Sequence, residues 1–466
     1  MRRFMPILAA LLVTGPSWSQ DITLPDYERV VLENGAVLLL SEKHEVPLIG
    51  LRAEVRGGSV ADPEGKAGVA QLLAAVMQKG AGDRNAVEFA SASANVGGRL
   101  SVSADVDSTS VAAEFLSRDA ELMLTLVSDV LQRPTLSADE LEKEQDRAIG
   151  LIKATKDGDP NALMPHYANA FIFGDHPYGR PTTGSESSLS TITHDDLLEY
   201  YSDNFGGDRL IISVVGDFDA AAMKARLAAE FGGWGPAAAP LVDIPAPSKA
   251  PGRRVLLIDK PGATQSYFWF GNVGVALSYP RRAELSLANT VFGARFTSML
   301  VTELRVNAGL TYSARSVVDQ RTQPGPVTVR SFTETSTTVE AIDLAISVLR
   351  RLQDKGLDDD MMVSARNYIM GQFPPRLETA SSLAGMLSFL ELNGLDRSYI
   401  DDYGPELQAA AAESVALTIS EVYPQPDDLV FVIIGDAATI RDAIAKYGEV
   451  TEVSITEPSF RVPLTE

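Results

Sequence analysis

Residues 65–82 read GKAGVAQLLAAVMQKGAG, and Val69, Leu72, Leu73, Val76 and Met77 fall at i, i+3, i+4, i+7 and i+8. That spacing predicts an amphipathic helix seated on a core, with Gly80 as its C-terminal stop. The opposite face carries Gln71, Ala74, Ala75 and Gln78. It is neither the charged surface that water favours nor the apolar surface that a core favours. Similar periodicity predicts helices over 120–131, 138–153, 193–204, 339–353 and 358–373, and alternation predicts strands over 51–60 and 100–115. Because strands and helices mix without a strict strand-helix-strand rhythm, the pattern predicts the α+β class, sheets with helices packed on one face.

The pattern also repeats. DRLIISVVGDFDAAAMKARLAAEFG (208–232) and DDLVFVIIGDAATIRDAIAKYG (427–448) are each an apolar run ending in Gly-Asp before an amphipathic helix, and Gly216 and Gly435 lie 219 residues apart. Likewise VLLLSEKHEVPL (37–48) matches VLLIDKPGATQS (255–266) at an offset of 218. Two matches at nearly one offset indicate an internal duplication. Between them, five prolines from Pro236 to Pro251 mark a stiff linker. The expected organisation is an N-terminal half over 20–235, a linker over 236–252 and a C-terminal half over 253–466.

The first nineteen residues, MRRFMPILAALLVTGPSWS, join two arginines, an apolar run and small residues ahead of Gln20. They read as a cleaved signal peptide, which places the protein in the periplasm, with no membrane association after cleavage. The 466-residue chain has no cysteine, so it holds neither a disulfide nor a thiolate metal site. Its formal charge of −22, or −24 once Arg2 and Arg3 leave with the signal, keeps it soluble and repels nucleic acid.

Conventional catalytic motifs are missing. The four histidines, His44, His166, His176 and His194, include no pair at helical spacing, and no P-loop, nucleophile elbow or dinucleotide fingerprint is present. Each histidine reads as a surface or hydrogen-bonded structural residue, with His176 fixing a turn at Pro177, Tyr178 and Gly179.

Two longer strings carry a resemblance. FIFGDHPYGRPTTGSESSLSTITHDDLLEYYSDNFGGDRLIISVVGD (171–217) and FGARFTSMLVTELRVNAGLTYSARS (292–316) resemble segments of the pitrilysin/insulinase family of zinc metallopeptidases. The duplicated halves, the linker and residues 60–80 also fall in that family's order. In active relatives, the helix corresponding to 68–79 carries His-x-x-Glu-His, two zinc ligands and the general base, and a distal glutamate is the third ligand. Placed on this sequence, the motif falls on Gln71, Leu72, Leu73, Ala74 and Ala75, and the distal ligand near Gly150 on the helix over 140–154. None of Gln71, Ala74, Ala75 and Gly150 can supply an imidazole or carboxylate.

The second half differs. By spacing alone, Arg305 is an arginine in the last turn of a helix, complementing its dipole, and Tyr312 sits half-buried on the following strand beside Leu310, Ala314 and Ser316. The resemblance implies more: relatives use this pair, seven residues apart, to hold the peptide and stabilise charge on the scissile carbonyl. It therefore implies a zinc-free subunit of a heterodimeric peptidase, with no cofactor in this chain and zinc in a homologous partner bearing His-x-x-Glu-His. Substrates would be unfolded peptides or small flexible polypeptides. A silent scaffold or a chaperone-like peptide-binding chamber is the alternative.

Overall fold

The computed structural model describes residues 23–249 and 252–462. The expected signal peptide lies outside them. Six strands form the first sheet: β1 (Glu28–Val31), β2 (Val37–Glu42), β3 (Leu48–Arg56), β4 (Arg99–Ala104), β5 (Ser108–Leu116) and β6 (Leu210–Gly216). Six more form the second: β7 (Arg254–Asp259), β8 (Gln265–Val273), β9 (Ala314–Val318), β10 (Pro326–Glu334), β11 (Val430–Gly435) and β12 (Glu449–Ser454). The spatial orders are β1-β2-β6-β3-β5-β4 and β12-β7-β11-β8-β10-β9.

Apart from the outer strands β1 and β12, the two orders superpose strand for strand. The β2–β6 and β7–β11 pairs are parallel, and the remaining inner pairs are antiparallel in both sheets. Lys43 N–H donates to Gly216 O at 2.7 Å and Lys260 N–H to Gly435 O at 2.8 Å, so the two crossovers end alike. The edges differ: β1 runs antiparallel to β2, whereas β12 runs parallel to β7.

Four helices bear on the candidate site and on the contact between the halves: α1 (Val69–Met77), α2 (Ala138–Gly158), α3 (Met164–Phe173) and α4 (Ala380–Leu392). Helices cover both faces of each sheet, not one face as the pattern predicts, because each half lends a helix to the other. On the first sheet, Leu38, Leu40, Leu51 and Ile212 join the core beneath α1, while Val37, Leu39, Ile211 and Val215 pack on Leu383, Ala384 and Leu387 of α4. On the second sheet, Val255, Leu257, Phe268 and Phe431 face their own helices, while Leu256, Ile258 and Val432 join the first half's core with Phe171 of α3. Burial on both faces explains the nearly continuous apolar runs in β2, β6 and β11. Close approach of α4 fixes one residue type: a Cβ at Gly50 would lie 2.6 Å from Ser381 N.

Other expectations shift at their edges. The single strand over 100–115 is a hairpin, β4 and β5, turning at Asp105–Asp107, where Asp105 N–H bonds Ser108 O. The strand expected over 51–60 starts at Leu48 and ends at Arg56, before a 3₁₀ turn at Gly58–Ala61. The linker has no helix or strand over 236–249 and lies along the first half. Ala238 N–H donates to Ser202 O at 3.0 Å, and His176 Nε2 reaches Pro245 O at 2.8 Å.

Candidate functional site

Helix α1 begins where Gly68 takes φ +96° and a Cβ would strike Gly184 Cα at 2.7 Å. Its first-turn N–H groups are met from outside the helix: Asp62, 2% exposed, accepts from Gly68 N–H at 2.6 Å and Ala70 N–H at 3.1 Å. Burial pushes the Asp62 carboxyl up to about 7, against the pull of those two bonds and of Arg180. At the other end the helix closes at Gln78, and Gly80 stands beyond it at φ +132° in a two-residue strand paired with Arg84–Asn85. Gly80 is thus a strand residue and not the helix stop. The apolar stripe Val69, Leu72, Leu73, Val76 and Met77 is fully buried, each side chain contributing about 1.5–3 kcal/mol.

The other face of α1 meets the outer edge of the first sheet. Gln71 Oε1 accepts from Ala104 N–H at 3.1 Å, and Gln78 Nε2 donates to Val102 O and to Ala74 O, both at 3.0 Å. Ala104 and Val102 belong to β4, which has no further strand beside it. These two glutamines therefore occupy main-chain groups that an added strand would use.

Beside them lies a cavity of about 420 Å³, lined by Gln71, Ala75, Gln78, Glu144, Leu151 and His166 among others. Glu144 is already paired, with Lys79 Nζ at 2.9 Å and Arg147 Nη1 at 3.3 Å. His166 stacks on Phe460 at 5.0 Å, and burial lowers its pKa to about 4, so it is neutral at pH 7. Gly150 is not part of this lining. It is exposed, and a Cβ there would meet nothing within 4 Å. The α2 residues on the cavity are Glu144, Arg147, Ala148, Leu151, Ile152 and Thr155, an i, i+3, i+4 stripe that passes through Leu151. Helical phase, legible in the sequence, favours Leu151 over its neighbour as the residue facing Gln71.

The side chains at 71, 74, 75 and 151 are an amide, two methyl groups and an isobutyl group. They do not fit zinc, which takes imidazole, thiolate or carboxylate ligands. Among the described residues no three His, Asp or Glu side chains are grouped to hold a metal ion.

The second half presents a different surface. Arg305 stands in a π-helical turn, Val301–Asn307, that closes with Ala308 N–H on Glu303 O at 3.0 Å and Leu310 N–H on Leu304 O at 2.8 Å. Tyr312 is not on the following strand. It lies in the loop before β9 and is 79% exposed, because the Thr311 hydroxyl bonds both Ser313 N–H and Ser313 O at 3.1 Å and holds the chain in a local turn. The structure brings the two together: Arg305 Cζ stands 5.8 Å from the Tyr312 ring centroid, and 4.9 Å from that of Phe296. Arg305 and Tyr312 line a cavity of about 470 Å³ with Gln265, Thr311, Thr333 and Glu334. The nearby acid Glu303 is engaged elsewhere, with Arg351 at 2.8 Å and Asn307 at 3.0 Å. Phe296, 66% exposed, is the residue sequence reasoning passed over; its place between Gly293 and Ser298 in FGARFTS was the available signal.

All four histidines have partners. His44 Nδ1 meets Asp217 at 2.7 Å, His194 Nε2 meets Leu136 O at 2.7 Å, and His166 Nε2 lies 3.3 Å from Thr183 Oγ1. His176 caps the turn Pro177–Gly179, its Nδ1 accepting Tyr178 N–H at 3.1 Å.

The chain is similar to known proteins in sequence and fold. The family described as Insulinase (Peptidase family M16) matches residues 37–186, and that described as Peptidase M16 inactive domain matches 191–368. An uncharacterized zinc protease of Mycobacterium leprae is 29% identical over 80% of this chain and 82% of its own. A non-peptidase homolog of Helicobacter pylori is 22% identical over 86% of this chain and 91% of its own. Among solved structures, a peptidase M16 inactive domain protein from Pseudomonas fluorescens aligns with a TM-score of 0.82 at 23% identity, covering 88% of this chain and 98% of that one.

Proposed function

The chain belongs to the insulinase peptidase family, M16, and from that premise we propose that it is the zinc-free subunit of a periplasmic, heterodimeric zinc peptidase. A homologous partner bearing His-x-x-Glu-His supplies the metal and the general base. This chain supplies Arg305 and Tyr312 in trans. The carrying observation is that Arg305 and Tyr312 converge on one cavity while positions 71, 74, 75 and 151 hold no metal-binding side chain.

Arg305 offers guanidinium N–H groups to the carbonyl of a bound peptide, and the Tyr312 hydroxyl is a second donor. Both strengthen as the carbonyl oxygen gains charge, which is where donors accelerate acyl chemistry. Substrates are unfolded peptides or small flexible polypeptides, held by their main chain. The name of the Helicobacter pylori relative, a non-peptidase homolog, is in keeping with a chain silent by itself.

Affinity purification of the full chain from its own periplasm tests the reading. The expected result is a co-purifying homologue with the inverted zinc motif, zinc and peptide hydrolysis in the complex, and neither in the isolated chain. Equimolar zinc and hydrolysis in the isolated chain would overturn it. A chain that co-purifies with no homologous partner and protects unfolded peptides from aggregation would favour the chaperone-like alternative.

A further inference from the structure

Arg305 has an unusual environment for an arginine at a helix end. None of the ion pairs among the described residues engages it, and the nearest acid on its own turn, Glu303, is taken by Arg351. What touches the guanidinium is aromatic: Phe296 at 4.9 Å and, farther away, Tyr312 at 5.8 Å. Phe296 does not line the cavity that Arg305 and Tyr312 share, and it is not part of either core. Phe296 is 66% exposed, and the residues on either side of it are anchored. Arg295 Nη1 donates to Ser364 Oγ at 2.8 Å, on the helix Asp359–Gln372, and the fully buried Ser298 accepts Val301 N–H at 3.3 Å.

We propose that Phe296 is a positioning residue for Arg305, its ring face holding the guanidinium plane so that the N–H donors stay directed to a peptide carbonyl in the adjoining cavity. An arginine has many rotamers, and a donor that must meet a carbonyl in one orientation loses part of its binding to ordering them. A ring face supplies attraction without consuming any N–H, which a carboxylate partner would do. Phe296 thereby orders the side chain and leaves its hydrogen-bonding capacity intact.

The proposal rests on the reading of Arg305 as a substrate-holding group, and two measurements on the purified full chain separate the two. The first is the side-chain Nε–Hε relaxation of Arg305 by nuclear magnetic resonance. The second is the anisotropy of a fluorescein-labelled, unstructured Gly/Ser-rich decapeptide with one leucine, titrated to millimolar protein. Phe296→Ala should raise the mobility of Arg305 and weaken peptide binding by about two- to fivefold, the scale of an exposed cation–π contact. Phe296→Tyr should restore both, since a ring face remains. Unchanged Arg305 mobility in Phe296→Ala would overturn the positioning role. If mobility rises but the parent, Phe296→Ala and Arg305→Ala bind the peptide equally, Arg305 is not the substrate-holding group, and the functional reading falls, together with Phe296's part in binding.

Discussion

The Arg305 guanidinium lies 5.8 Å from the ring centroid of Tyr312, with a π-helical turn and a hydroxyl-pinned loop between them, so seven residues of chain return one side chain to the other. Local backbone devices place both residues on one cavity. Both members of the proposed pair therefore lie in this chain, and their contribution can be measured separately from that of the proposed partner. In the assembled complex, Arg305→Ala should lower kcat by about 10²–10³, the cost of removing one oxyanion donor. Tyr312→Phe keeps the ring beside the guanidinium and loses only the hydroxyl, so a smaller loss of about tenfold is expected. Steady-state peptide hydrolysis with co-elution of both subunits checks this; parent-like turnover in both variants would refute the trans contribution.

Gly150 should be replaceable at a gain. It lies in the interior of α2, exposed, with nothing within 4 Å of an added Cβ. Gly150→Ala should raise stability by about 0.5–1 kcal/mol, seen as a higher denaturant midpoint. Gly150→Glu should leave the chain without zinc affinity, since position 150 is absent from the cavity lining. Equilibrium dialysis against zinc reads that second outcome.

Gly50 should behave in the opposite way. A methyl group there meets Ser381 N at 2.6 Å and its Cα at 2.7 Å, both backbone atoms of α4. Gly50→Ala should destabilise the chain by about 1–3 kcal/mol through displacement of that helix, and protection of the 380–392 amides from hydrogen exchange should fall with it. Retained protection would mean that α4 accommodates the methyl without moving.

Asp62 and His166 give opposing pH dependences. Asp62 is raised from 3.8 to about 7 in the folded chain, so its stabilising contribution is complete below pH 3.8 and is lost as pH rises through 7. His166 is lowered from 6.5 to about 4, so its contribution is complete above pH 6.5 and is lost as pH falls through 4. Between pH 4 and 6.5 the two slopes oppose. Asp62→Asn should leave stability falling toward acid, and His166→Gln should leave it falling toward neutral pH. Urea unfolding across that range checks both signs.

Much of the fold was legible in the sequence, and for physical reasons. A 3.6-residue stripe survives any tertiary context that buries one side, so the helices over 120–131 and 338–355 stand where the periodicity puts them. The duplication was readable because both sheets need the same apolar strand ending at a glycine. What escaped was set by partners far along the chain. The second face of each sheet is covered by a helix of the other half, as Val215 is by Leu387, and no local pattern encodes that. The hairpin between β4 and β5 turns through Asp105-Val106-Asp107 without glycine or proline, which hides the break in an alternating run. Gly150 lies outside the cavity beside Gln71, and its neighbour Leu151 lines it, a difference that helical phase encodes and motif spacing does not. Tyr312 left its expected strand through one threonine hydroxyl.

The clasp between α1 and the sheet edge stands in the way of a metal at this face. Gln71 stands where the family resemblance would place a ligand, and its amide holds Ala104 N–H, while Gln78 holds Val102 O. A histidine placed at position 71 would give up the first of those bonds before any zinc site existed, because three further positions would still lack ligands or a base. That one substitution would thus begin by exposing part of an unpaired strand edge. The helix face is therefore a seal: its two amides are committed to the sheet edge, and any ligand set built there would have to leave that edge closed by other means.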